Sequence, residues 1–305
     1  MYSIQRLGPN FHMIAIRNKD YVYPLSHIFD SLFNPLTPFL KDILGYFWLM
    51  GPLGLIFLIL MGAYLGLKKK PREVLLLLVW AILPMFTVAE YSKTMTARYI
   101  YFTLPYLIII AAYTLKGLVF KGSRTLLLAK KILVFLFVGH ALFIDYLMLT
   151  DIEKVNLPRS ERSGYLEEWT SGYGIREVSE LIKDEYTKEP GKKIVIGTEG
   201  YFGTLPDGLQ IYLNNLPAIT VIGVGLDLTD LPQSLSESKK FGNKTFLVIN
   251  DSRLKADPEK LGLEVIAAYP KAFREEGTRE YNTLGPRETL YLFEVTEKSI
   301  NTNEK

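Results

Sequence analysis

Apolar residues fall into long unbroken runs in the first half of this chain and into short periodic patterns in the second. Residues 46–67 form a run of 22 positions without a charge. As a helix it would extend roughly 33 Å, enough to cross a ~30 Å hydrocarbon layer. Residues 74–89, which include Pro84, form a second run and residues 99–115 a third, extendable to Phe120 if Lys116 snorkels towards headgroups. Residues 132–150 form a fourth, with Asp145 near its outer end. These runs are apolar on all faces, whereas helices around a soluble core keep one polar face. They predict about four transmembrane helices.

After position 150 the pattern changes. Ile175, Val178, Leu181 and Ile182 sit at helical spacing, and a β-rich run follows at 193–197. A glycine-rich loop then leads to a helix around 209–214. Strands are expected at 219–224 and 245–250, with a polar helix at 232–240 between them. Residues 263–268 and 289–295 can close the sheet. Strands alternating with helices predict a mostly parallel, three-layer α/β arrangement. The expected fold is a multi-pass α-helical membrane region followed by a soluble α/β domain. Its parts are an extracytoplasmic loop with a juxtamembrane helix (1–45), four membrane helices (46–150) and an extracytoplasmic α/β domain (151–305). In the first part, Phe11, Met13 and Ala15 alternate with His12, Ile14 and Ile16. A short helix opens at Ser26, and Thr37-Pro38 supplies a cap and a first-turn proline for the next.

Charge sets the expected orientation. Residues 1–150 carry 15 Lys and Arg against 6 Asp and Glu, and residues 151–305 carry 20 against 26. Nine of the 15 basic residues lie in two loops, 68–72 and 116–131, which the positive-inside bias assigns to the cytoplasm. Loop 90–98 and both ends of the chain then face outward, in a cell membrane. No signal peptide precedes the outward segment 1–45, which leads to the expectation of further spans upstream of Met1.

With 49% hydrophobic residues the chain is not of disordered type. It has no cysteine, which excludes disulfides, thiolate metal sites and a cysteine nucleophile. Its three histidines, His12, His27 and His140, are far apart, so no metal site is expected. His140 and Asp145 point about 140° apart on a helix and form no relay. No nucleic acid is expected as a partner.

Candidate chemistry gathers in a few loops. Ser171-Gly172-Tyr173-Gly174 precedes a helix and could cap it or hold an anion. Gly223-Val224-Gly225 is half of a dinucleotide fingerprint, but Leu228 stands where the third glycine belongs. The loop 198–208 joins Glu199, Tyr201 and Asp207 to three glycines, a set able to contact a sugar or acceptor; a structural turn is the competing reading. Loop 90–98 puts Glu90, Lys93, Arg98 and Tyr99 at the membrane surface, where cations suit a lipid phosphate. An interfacial belt of tyrosine and basic anchors is the alternative there.

The pattern Thr96-Ala97-Arg98-Tyr99 followed by Leu104-Pro105 and an apolar span resembles the late "RY…P" segment of the GT-C membrane glycosyltransferases. That superfamily includes the protein O-mannosyltransferases and the lipid A aminoarabinose transferases. The sequence 164–169 (GYLEEW) leading to 171–174 is similar to the extracytoplasmic end of bacterial members. The resemblance implies transfer of a hexose or pentose from a polyprenyl-phosphate donor to an extracytoplasmic glycan, lipid or protein acceptor, by an inverting displacement. It implies contacts from Arg98 and Tyr99 to the carrier phosphate or sugar, to which charge and position add Lys93 and Glu90. In the family the catalytic carboxylate, often near a divalent metal, lies in an amino-terminal external loop. Catalytic residues and any such metal are therefore expected outside this chain, which needs no cofactor of its own and is expected to be inactive alone. The alternative is a non-catalytic membrane-anchored module that binds glycan or protein.

Overall fold

The computed structural model describes residues 16, 18–119 and 124–296. The chain divides into two compact units, Met1–Glu161 and Arg162–Lys305. Residues 151–161, expected with the tail, thus belong to the first unit.

The first unit is helical: α1 (Leu36–Leu49), α2 (Leu55–Lys69), α3 (Pro71–Tyr91), α4 (Leu104–Val119) and α5 (Arg124–Thr150). The expected single helix over 46–67 is instead broken into α1 and α2. Pro52 has no amide hydrogen and its ring clashes with a preceding helical turn, and Gly54 adopts φ +83°, a left-handed conformation at the cap of α2. Among the described residues two helices, Pro71–Tyr91 and Lys131–Thr150, are long and apolar enough to cross a membrane; Tyr101–Thr114 is shorter. Two 3₁₀ turns, Ala97–Tyr99 and Tyr101–Thr103, precede α4. Ser26 does precede a short helix (His27–Asp30), but Thr37-Pro38 falls inside the first turn of α1, which starts at Leu36 after Pro35. Residues 11–15 of the alternating segment lie outside the described residues, and Ile16 is helical.

Ile43 and Tyr46 of α1, Ala81, Met85 and Ala89 of α3, and Leu107 and Ile110 of α4 form the buried apolar cluster of this unit, with Met95 and Ile100. The backbones of α2 and α4 come together at Gly62. A Cβ there would lie 1.9 Å from the Ile110 carbonyl oxygen, and Thr114 donates its hydroxyl hydrogen to the Leu58 carbonyl at 2.7 Å. Gly66, four residues on, packs against Val74. By contrast, α5 leaves its apolar stretch exposed, with Phe135 and Leu149 bare and only modest links such as the Leu53 amide donating to His140 Nδ1 at 3.2 Å.

The second unit is a five-stranded sheet with helices on both faces. In chain order it runs α6 (Ile175–Lys188), β1 (Ile194–Glu199), α7 (Thr204–Leu213), β2 (Ile219–Gly225), α8 (Gln233–Lys240), β3 (Lys244–Asn250), β4 (Leu263–Phe273), α9 (Arg279–Leu284) and β5 (Arg287–Val295). The strand order is β2-β1-β3-β5-β4. β1 is parallel to β2 and β3, with Ile196 level with Val221 and Phe246. β5 is antiparallel to β3 and β4, so the sheet is mixed rather than mostly parallel. β5 inserts between β3 and β4 and runs against both, and its two ladders give the sheet its mixed character. α6 and α7 bury Val178, Ile182 and Leu209 against Ile196, Phe246 and Leu292; on the other face α8 buries Leu235 with Leu247 and Phe293.

Candidate functional site

In the first unit the candidate residues sit on the turn between α3 and α4, which is fixed at both flanks. The Tyr23 amide donates to the Tyr91 carbonyl at 2.7 Å and the Lys93 amide to the Tyr21 carbonyl at 2.9 Å. Further on, the Ala97 amide donates to Oε1 of buried Glu161 at 2.8 Å. Behind it Tyr46 and Ser160 share a hydroxyl contact of 3.2 Å. The turn therefore holds its side chains in set places.

The four candidates behave differently on that frame. Arg98 is exposed, its guanidinium 5.5 Å from the centroid of the Tyr99 ring, and it makes no ion pair among the described residues. Tyr99 is half-buried against the apolar cluster, so it orients Arg98 from a packed base. Lys93 is exposed but committed: its ammonium donates to the Lys19 carbonyl and lies 5.4 Å from the Tyr23 ring centroid. Glu90, in the last turn of α3, is only 4% exposed, and both its carboxylate oxygens are buried without a hydrogen-bond partner among the described residues. Thr96 Oγ1, on the turn that follows, is buried and also without a partner among them.

In the second unit the side chains with chemistry converge where β1 and β3 end and β5 begins. Glu199 closes β1, and its carboxylate accepts the Asn250 amide at 2.7 Å and Asn250 Nδ2 at 2.6 Å. Burial pushes the Glu199 carboxyl above its ordinary range, and these two bonds pull it partly back. A strap, residues 162–172, crosses this edge. Lys271, fully buried, donates to the strap carbonyls of Glu168 and Ser171 at 3.0 and 3.2 Å. Arg274 donates to both oxygens of Glu168, to Glu288, and to the Leu284 and Gly285 carbonyls. Burial pulls the Lys271 ammonium down to about 8, against the attraction of Glu288, Glu199 and Glu168. Asp251 is pushed up to about 7 by burial and by its hydrogen bond to Glu288 and that group's charge. Burial pushes Glu288 up as well, but its bonds from Asp251 and Ser252 and the Arg274 charge outweigh this and hold it low.

Most of this polar set is already satisfied within the fold, and its geometry is that of a clasp on the strap. Of the sugar-contact candidates, Glu199 is occupied by Asn250. Asp207 is exposed, and its Oδ2 accepts the Gly203 amide at 2.9 Å, which caps the start of α7. Tyr201 alone presents its ring to solvent, at 70% exposure. The glycines of the other two motifs have packing roles. A Cβ on Gly223 would lie 2.4 Å from the Gly200 carbonyl oxygen, and Gly174 starts α6 at φ +84° with Tyr269 against it.

Among the described residues no group of three or more His, Asp or Glu is placed to hold a metal. Lys271, Arg274 and Glu288 lie just outside the expected strands 263–268 and 289–295, and nothing local in the sequence marks them as a set. β4 is an edge strand, where proline is tolerated, and it runs on to Phe273. Gly62 and Gly66, by contrast, stand as a readable G-x-x-x-G in an apolar run. The chain matches no protein-family model, and no curated protein or solved structure matches it.

Proposed function

We propose that this chain is the carboxy-terminal portion of a multi-pass membrane glycosyltransferase that moves a sugar from a polyprenyl-phosphate donor to an extracytoplasmic acceptor, and that its share of the work is to hold the donor's phosphate. The observation that carries this reading is Arg98: exposed, without an acidic partner among the described residues, backed by Tyr99 and mounted on a turn fixed at both flanks. A planar guanidinium can grip two phosphate oxygens at once, which a lysine cannot. The bare apolar faces of α3 and α5 support a lipid setting, since soluble monomers rarely leave such surfaces uncovered. The basic loop 68–72 at the other end of α3 supports placing this turn on the outer side.

The test is binding of undecaprenyl phosphate to the full chain in lipid nanodiscs. Arg98→Ala is expected to weaken it at least tenfold, about 1.4 kcal/mol, with Arg98→Lys in between. Equal binding by the wild type and Arg98→Ala defeats the proposal.

A further inference from the structure

We infer that Glu90, with Thr96, forms a binding site for the hydroxyl groups of the sugar carried by the lipid phosphate, distinct in role from the phosphate grip of Arg98. The inference rests on the function proposed above and adds which part of the donor each residue recognises.

Three observations bear on Glu90. Its carboxylate is buried, and neither oxygen has a donor among the described residues. It lies in the last turn of α3, where the helix dipole presents its negative end and disfavours another negative charge. It follows Ala89, a member of the buried apolar cluster, in the chain. Leucine would be more stable in such a place, so a structural role does not account for the carboxylate. Thr96 makes the pattern two-membered, since a second buried polar atom, on the turn directly after α3, is also without a partner among the described residues.

The missing partner must supply hydrogen-bond donors to Glu90 and can both donate to and accept from Thr96. A phosphate has only acceptor oxygens to offer a carboxylate and would be repelled by it. A polyol supplies O–H donors for Glu90 and lone pairs for Thr96. In a polyprenyl-phosphate sugar the ring follows the phosphate directly. Arg98, eight residues along the same turn, would take the phosphate while Glu90 and Thr96 take the ring. A buried carboxylate left unsatisfied until hydroxyls arrive also favours the sugar-bearing lipid over the bare one.

The experiment uses the full chain in nanodiscs with three probes: undecaprenyl phosphate, undecaprenyl-phosphate glucose and undecaprenyl-phosphate mannose. The wild type is expected to bind at least one sugar lipid tenfold or more above the bare phosphate. Glu90→Gln and Glu90→Leu should erase that margin without weakening bare-phosphate binding, and Arg98→Ala should weaken all three. Thermal unfolding supplies the second readout, with Glu90→Leu expected to melt at or above the wild-type temperature. If bare phosphate binds but neither sugar adds a margin, or if Glu90→Leu keeps the margin, the Glu90 inference falls and the phosphate reading stands. If Glu90→Leu melts well below the wild type, Glu90 has a structural partner and the inference falls as well. If no probe binds the wild type, both readings fall together.

Discussion

Arg274 grips Glu168 with two prongs of its guanidinium, Nε to Oε1 at 2.9 Å and Nη2 to Oε2 at 3.0 Å, and both side chains are nearly or fully buried. Nη2 also reaches Glu288, so one cation serves two carboxylates. Removing one partner of such a set strands charge in the interior. Arg274→Ala is expected to cost the tail about 3–5 kcal/mol. Arg274→Lys should recover little, because an ammonium cannot match the fork. Chemical denaturation followed on the tail measures both.

Asp251 gives the tail a pH dependence of definite sign. Its carboxyl is raised by burial, first, and then by Glu288, to about 7 in the folded chain against 3.8 ordinarily. The folded state therefore holds a proton that the unfolded state has lost between these values, and stability falls as pH rises from about 4 to about 7. Asp251→Asn removes that loss. After allowance for solvent screening, it is expected to stabilise the tail by about 1–2 kcal/mol at pH 8 and not at pH 4. Hydrogen exchange of the segment 245–255 at the two pH values checks it, and an equal gain at both refutes it.

Lys271 acts in the opposite sense. Burial lowers it to about 8 against 10.5 ordinarily, so the folded chain gains stability relative to the unfolded as pH rises from about 8 to about 10.5. Lys271→Met removes that gain and the two bonds to the strap. The strap, residues 162–172, is then expected to exchange its amide hydrogens at least tenfold faster at neutral pH.

Gly62 should tolerate no side chain. With a Cβ placed 1.9 Å from the Ile110 carbonyl oxygen, Gly62→Val must push α2 and α4 apart, at an expected cost of about 2 kcal/mol or more. Gly139→Ala in α5 meets nothing within 4 Å and serves as the control, neutral or slightly stabilising. Thermal unfolding of the full chain in nanodiscs compares the two.

Glu199 and Tyr201 separate a structural from a surface role on one loop. Glu199→Ala leaves two Asn250 donors bare and should cost about 2–4 kcal/mol, whereas Tyr201→Ala should stay within about 0.5 kcal/mol. A denaturant melt of each variant decides it.

The drop in hydropathy near position 150 is plain in the sequence, while the helical unit runs on to Glu161 before the sheet-bearing one begins. The sequence was also informative wherever local periodicity decides structure. The spacing of Ile175, Val178 and Ile182 marks the buried face of α6, and the runs 193–197 and 245–250 are strands as expected. It misled where one residue outweighs a run: hydropathy reads 46–67 as continuous, but Pro52 and Gly54 break it. The antiparallel return of β4 and β5 depends on pairing between distant strands, which no local pattern encodes. Arg98 and Tyr99 could be found as a motif and meet at 5.5 Å. The burial of Glu90 could not, because burial depends on tertiary packing that no local pattern encodes.

The clasp on the strap also has a meaning in time. Lys271 and Arg274 seize groups that left the ribosome 103 and 106 residues before them. The strap thus has no anchor until β4 has been made, although the parallel core of β1, β2 and β3 is already complete by Asn250. While synthesis proceeds from the amino end, Glu168 spends that interval in water, and the last two strands do more than widen the sheet. They lock shut a segment that had to wait for them, so a chain interrupted between β3 and β4 would keep its central strands yet trail an open loop across their ends.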